Sequence, residues 1–83
     1  MEQLIKEYIE NIDEYTINKY AKMNNINLTD QETKVIYMYL KNYWQVFYKG
    51  NPTELFKELK EQLQEENYQK ILQLYNKYKE KII

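Results

Sequence analysis

Apolar residues in this chain recur three and four positions apart, and capping residues punctuate the recurrence; together they direct the chain to an all-helical fold. Leu4, Ile5, Tyr8, Ile9 and Ile12 form one stripe, which predicts a first helix over Glu2–Asn11 directed at a core. Glu2 and Glu7 suit its N-terminal half. Asp13 is a candidate N-cap for a second helix, about Glu14 to Asn24, with Ile17, Tyr20 and Ala21 as its inward positions and Met23 or Asn24 joining them near the end. Asn25 follows where a helix commonly ends on a residue in the left-handed region, a place Asn fills after Gly. The connector Ile26-Asn27-Leu28 is expected to tuck Ile26 and Leu28 under neighbouring helices.

Thr29-Asp30-Gln31-Glu32 reads as a capping box, the clearest helix start in the chain. The third helix runs from Asp30 to at least Lys41, with Val35, Ile36, Tyr39 and Leu40 as its core stripe, extended by Tyr43 if the helix continues. Residues Asn42–Tyr48 either continue it or form an extended segment that docks Trp44 and Phe47. Gly50-Asn51-Pro52-Thr53-Glu54 is punctuation: Gly50 ends the preceding element, Asn51 caps, Pro52 takes the first helical position and Glu54 completes the start. A fourth helix follows to about Gln64 with Leu55, Phe56, Leu59 and Leu63 inward. The step from Leu63 to Tyr68 is too long for one stripe, which implies a break within Gln64–Asn67. A fifth helix then turns Tyr68, Ile71, Leu72, Tyr75, Tyr78 and Ile82 inward. No Gly or Pro enforces the break, so a single long helix over 52–83 stays open. The fold class is an all-α compact bundle of four or five short helices, in one domain over residues 1–83.

The chain has 83 residues, and a domain of this size buries roughly 60–65% of its unfolded surface. It has no cysteine to staple it and no Cys or His for an ordinary zinc site, so helix packing or oligomerisation must supply stability. Arginine and serine are absent as well. That removes the usual nucleophiles, the base that works near neutral pH, and the two-point clamp on phosphate or carboxylate. No enzyme activity, cofactor or small-molecule substrate is expected. Glu58, Glu61 and Glu65 are spaced for a carboxylate site, but leucines already fill the core stripe of that helix; a solvated face with Lys57 and Lys60 is the expectation.

Net charge is −1, which gives no electrostatic footprint for nucleic acid. Segments alternate in sign: residues 1–14 hold one Lys and five acids, 15–49 five Lys and two acids, 50–66 two Lys and five acids, and 67–83 four Lys and one acid. Neighbouring helices could use this alternation to set their pairing, or it could be scattered solvated charge. Helices two and three invite a helix-turn-helix reading. The connector exceeds the usual turn, the second helix opens on Asp30 and Glu32, and no arginine is present to read guanine. Lys19, Lys22, Lys34, Lys41 and Lys49 keep a weak nucleic-acid binder as an alternative. The acidic N-terminal stretch lacks the apolar run of a signal peptide, and nothing approaches a membrane span, so a cytoplasmic protein is expected. Ile, Asn, Lys and Tyr make 40 of the 83 residues, whereas Gly, Ala, Arg and Pro make three, which points to a low-GC bacterial or phage genome.

Six aromatics fall between Tyr37 and Tyr48. Genome bias and a small core explain part of this. If helix three continues, Tyr37, Trp44 and Tyr48 share a face with Lys41, away from the core stripe. A domain this small cannot readily bury both faces, and aromatics left outside anchor protein interfaces. The expected function is a non-catalytic interaction module binding a partner protein or itself through Tyr37, Tyr43, Trp44, Phe47 and Tyr48, with Lys41 at the rim. A small inhibitor or immunity-type protein that occludes a larger partner is a second possibility.

One pattern has a counterpart. It comprises Ile12-Asp13, Tyr20-Ala21, Asn25, Ile26-x-Leu28-Thr29, Glu32, Ile36, Tyr39-Leu40-Lys41 and Phe47, followed by the helix Leu55-Phe56-Lys57-Glu58-Leu59. Over residues 12–78 this resembles the YqfT-like family of short uncharacterised proteins from Bacillus and related low-GC bacteria. Asn25 and Asn42 stand where that family has glycine. The resemblance implies a bacterial cytosolic protein with a small helical fold and no assigned activity. It also implies that helix three ends near Asn42.

Overall fold

The computed structural model describes the backbone of residues 1–82 and the side chains of residues 1–80. Its elements are α1 (Glu2–Asn11), α2 (Glu14–Met23), α3 (Asp30–Lys49), α4 (Thr53–Gln62) and α5 (Glu65–Ile82), with no strand among the described residues. The breaks fall where the capping residues put them. Asp13 Oδ1 accepts the Thr16 N–H at 2.8 Å, and Asn25 takes φ 62° after α2. The Thr29 hydroxyl accepts the Glu32 N–H at 3.1 Å while Glu32 Oε1 accepts the Thr29 N–H at 2.9 Å.

Helix α3 is the axis of the molecule. At 1.5 Å per residue its 20 residues span about 30 Å, close to the longest extent of 31 Å. Helices α1 and α2 run one after the other, antiparallel to it: Glu2 pairs with Lys49, Glu10 meets Lys41, and Asn18 meets Thr33. Helix α4 also runs antiparallel to α3, from Phe56 beside Phe47 to Gln64 beside Glu32. Helix α5 is parallel to α3: Asn67 meets Glu32, Tyr75 meets Phe47 and Lys79 meets Tyr48. The main apolar cluster lies among α3, α4 and α5, built on Val35, Phe56, Leu59, Leu63 and Tyr68. Each such side chain, fully buried, contributes about 1.5–3 kcal/mol. Ile9, Ile17, Ala21 and Ile26 fill the seam under α1 and α2.

Several expectations are corrected. Helix α3 is interrupted where its end is expected: two helical stretches meet at a kink on Tyr43 (φ −131°, ψ 22°), next to Asn42, and the second stretch carries the hydrogen bonding on to Lys49. Pro52 is the N-cap of α4 rather than its first helical residue, although Asn51 Oδ1 does accept the Thr53 N–H at 3.1 Å. Gly50 is extended (φ −100°, ψ −160°). Its value is room: a Cβ there would sit 3.0 Å from Val46 Cα and 3.2 Å from the Val46 carbonyl. Leu4, Tyr8, Tyr20 and Tyr78, expected inward, are each more than half exposed, and Met23, expected to join the inward set at the end of α2, is 73% exposed. Helices α1 and α2, ten residues each and laid on α3, cover only part of a wide apolar stripe. The side chain of Ile82 lies outside the described residues.

The break before α5 has a cause in tertiary structure. Leu63 turns extended, and the Gln64 N–H freed there donates to Glu32 Oε2 at 2.8 Å. Asn67 Nδ2 donates to Glu32 Oε1 at 2.9 Å and to the Asn27 carbonyl at 3.0 Å. One buried carboxylate thus does the work that Gly or Pro does at other breaks.

Candidate interaction surface

The aromatics expected to bind a partner do not form one open patch. Phe47 packs edge-on against Phe56 and Tyr75, with centroids 5.6 and 6.1 Å away, and its carbonyl accepts the Tyr75 hydroxyl at 2.6 Å. Tyr37 is half-buried with Lys41 Nζ 5.5 Å from its centroid. Lys41 itself donates to the Glu10 carbonyl at 2.7 Å, which ties it to α1. Trp44 and Tyr48 are half-buried, and the Tyr48 carbonyl accepts Lys79 Nζ at 2.9 Å. Tyr43 alone of the set is exposed, with its ring 5.7 Å from that of Tyr39.

The large apolar side chains left open lie mostly elsewhere. Met1, Leu4 and Tyr8 share one face of α1 and are 82%, 65% and 58% exposed. Their spacing of three and four puts them beside the line of half-buried Ile5 and buried Ile9, so the apolar stripe of α1 is half covered and half open. On α2, Ile17 and Ala21 face inward, which turns Tyr15, Lys19, Lys22 and Met23 to solvent; Tyr15 and Met23 are 74% and 73% exposed. Tyr15, Asn18, Lys19, Lys22 and Met23 line a shallow open depression. Met38, Tyr43 and Tyr78 are the isolated exposed apolar residues of α3 and α5. Among the described residues, five of the nine exposed large hydrophobics thus fall in the first two helices, and a sixth, Met1, is the N-cap of α1.

A second shallow groove lies between α4 and α5, with Phe56, Tyr68, Leu72 and Tyr75 at its floor and Lys57 and Lys79 at its rim. Both rim cations already have protein partners, Glu54 Oε1 at 3.4 Å and the Tyr48 carbonyl at 2.9 Å.

Charge serves the fold in a way the alternation along the chain does not announce. Only one ion pair joins two helices among the described residues, Lys49 with Glu2 at 3.0 Å. The other long-range lysine contacts go to backbone carbonyls at helix ends. Lys41 takes Glu10 on α1, Lys70 takes Asn25 after α2 (2.9 Å), and Lys79 takes Tyr48 on α3. Carbonyls at a helix C-terminus lack intrahelical donors and carry partial negative charge, so Lys41 and Lys79 cap α1 and α3 from a distance, while Lys70 holds the turn just beyond α2.

The titratable groups with displaced behaviour are structural. Burial alone pushes the Glu32 carboxyl up, but bonds from the Thr29 N–H, the Gln64 N–H and the Asn67 amide outweigh it, and the pKa falls below the usual glutamate value. Tyr39 donates to Glu58 Oε1 at 2.8 Å, and that bond, with some burial, pushes its hydroxyl up to about 12. Burial raises the Tyr75 hydroxyl. Glu58, Glu61 and Glu65 all face solvent, and no group of three or more acidic side chains among the described residues is placed to hold a metal ion. No helix of the described residues is long and apolar enough to cross a membrane.

A family model described as "Protein of unknown function (DUF2624)" matches residues 1–79. No curated protein and no solved structure matches the chain. The family match takes in α1 and α2 with their open apolar faces, and it extends beyond the 12–78 stretch that carries the motif resemblance. The chain belongs to the DUF2624 family of proteins of unknown function.

Proposed function

We propose that this protein is a non-catalytic interaction module that binds protein through the outward faces of α1 and α2. The observation that carries the proposal is the concentration there of Met1, Leu4, Tyr8, Tyr15, Tyr20 and Met23, each at least half exposed. Single exposed apolar residues are ordinary, but a run of them along two consecutive helices is a feature of docking surfaces. Tyr and Met suit such a surface, since both bury a large area and Met adapts its shape. Tyr43 and Met38 on α3 are the remainder of the aromatic segment that stays open to a partner. An inhibitor that occludes a larger protein would use the same faces.

The nucleic-acid alternative loses ground on particular lysines. Lys41 and Lys49 are engaged with α1, which leaves Lys19, Lys22 and Lys34 of the middle segment. Three separated lysines without an arginine make a weak phosphate site. The composition bias toward Ile, Asn, Lys and Tyr supports a low-GC bacterial source, and the absence of cysteine is consistent with a cytoplasmic location.

Affinity capture from the native cell, with the wild type and the Leu4→Glu/Met23→Glu variant as parallel baits, tests the proposal. Proteins retained by the wild type and lost from the variant are expected. Identical capture by both baits, with both folded by far-UV circular dichroism, would overturn it.

A further inference from the structure

We infer that the occupant of the α1–α2 surface is a second copy of this chain, bound about a two-fold axis so that α1 of one copy lies on α2 of the other. The inference rests on the reading of α1–α2 as the binding surface and names its partner.

The geometry begins with the way these helices lie. Because α1 and α2 follow one another along α3, they form a rod broken at Ile12-Asp13. Two such rods related by a two-fold axis at the break run antiparallel, and α1 then meets α2 of the partner copy at both ends. The register is self-consistent. Leu4 lies nine residues before Asp13 and Met23 ten after it. Ile12 and Asp13 are extended, so only the helical stretches rise 1.5 Å per residue; from the middle of the break Leu4 and Met23 lie at about 15 and 18 Å, less than one helical turn apart, and Leu4 comes beside Met23. Tyr8 comes beside Lys19 by the same arithmetic.

The charges favour this pairing over α1 on α1 or α2 on α2. Residues 1–14 carry five acids and one lysine, and the Glu7 carboxylate, which flanks the Leu4/Tyr8 face, has only Gln3 as a partner among the described residues, at 3.3 Å. The exposed face of α2 carries Lys19 and Lys22, and neither has a carboxylate within 4.0 Å among the described residues. The crossed arrangement sets Glu7 against those lysines twice, once on each side of the axis. Parallel self-pairing would set like charges together, which is destabilising.

The area is adequate. A large side chain offers about 150–250 Å². Leu4, Tyr8, Tyr15 and Met23 are 58–74% exposed, so together they present on the order of 500 Å² per copy. The apolar stems of Lys19 and Lys22 add to this and bring the total near the ~600 Å² per partner of the smaller specific interfaces. A weak, salt-sensitive dimer is therefore the expectation.

Sedimentation equilibrium of the full chain, from low micromolar to millimolar concentration at low salt, gives the test. The wild type is expected to dimerise. Glu7→Lys alone, and Lys19→Glu with Lys22→Glu, should each weaken dimerisation about tenfold. The three substitutions combined should restore it, because the crossed pairs re-form with signs exchanged. Since the chain has no cysteine, Leu4→Cys with Met23→Cys supplies an independent readout: oxidation should give a covalent dimer through an intermolecular disulfide. A wild type that stays monomeric throughout would overturn the inference. So would a dimer indifferent to the charge reversals or not restored by their combination. If the monomeric wild type still loses a captured protein on Leu4→Glu/Met23→Glu, the surface binds a different partner and only the second-copy inference fails.

Discussion

Replacing Glu32 removes the carboxylate that joins the start of α3 to the break before α5. The side chain is 3% exposed and accepts from the Thr29 N–H at 2.9 Å, the Gln64 N–H at 2.8 Å and the Asn67 amide at 2.9 Å. Hydrogen bonds to a charged group are each worth about 1.5–3 kcal/mol, and a buried donor left alone costs about 1–3 kcal/mol. Glu32→Gln keeps the shape but turns one oxygen into an NH₂ that must face a donor. A loss of about 2 kcal/mol is expected, or a drop of about 8–16 °C in Tm for a domain of this size. Glu32→Ala abandons every bond and should lose about 4 kcal/mol, comparable to the lower end of the roughly 4–12 kcal/mol total for such a chain. Thermal and urea melts followed by far-UV circular dichroism read both. If Glu32→Gln melts within about 2 °C of the wild type, a difference worth less than about 0.5 kcal/mol, the carboxylate does not hold the junction.

The same bonds set a pH dependence. Because the folded pKa of Glu32 lies below its ordinary value of 4.5, the unfolded chain binds the proton more tightly. The stabilisation is therefore present above pH 4.5 and is lost as pH falls through the lowered folded value. Asp13, held low by the Thr16 hydroxyl and N–H, acts in the same direction. The stability of Glu32→Gln should fall less steeply with acid than that of the wild type.

Three further outcomes follow from the packing. Gly50→Ala should destabilise by about 1 kcal/mol or more through its clash with Val46 backbone atoms. Adding Val46→Ala should not relieve it, which urea midpoints of the two variants would check. Glu58→Gln should bring the Tyr39 hydroxyl down from about 12 toward the usual 10, read as tyrosinate absorbance against a Tyr39→Phe control. Lys79→Met keeps an apolar stem but leaves the Tyr48 carbonyl without its ammonium, and a loss of about 0.5–1.5 kcal/mol is expected by chemical denaturation.

Helix starts were legible because a cap acts within three residues: Asp13 on Thr16, and Thr29 with Glu32, need nothing from the rest of the chain. The break before α5 showed in the five-residue step from Leu63 to Tyr68, but its cause lies 32 positions away in Glu32. A signal for that role exists. Glu32 shares the helical phase of Val35, Ile36 and Tyr39, so an acid on a core stripe marked a buried carboxylate in need of donors. Continuation of α3 past Asn42 was undecidable locally, since the apolar run Tyr43–Tyr48 suits a buried helix and an extended segment alike. The open surface was misplaced for a related reason. Periodicity gives the width of the α1 stripe, but only the partner helix decides that Ile5 and Ile9 are covered while Leu4 and Tyr8 are not. The aromatics of α3 became core and seam because that helix has neighbours on several sides, whereas α1 and α2 each lie on one edge.

If the apolar face of α1–α2 exists for binding rather than for folding, one doubly substituted chain separates the two. Leu4→Gln with Met23→Gln removes apolar surface that is already 65% and 73% exposed. Its chemical melt should stay within about 0.5 kcal/mol of the wild type, as exposed positions allow. Its association, followed by sedimentation on the same samples, should fall by at least tenfold. A variant that loses folding stability and leaves association unchanged would show that the face serves folding and not binding.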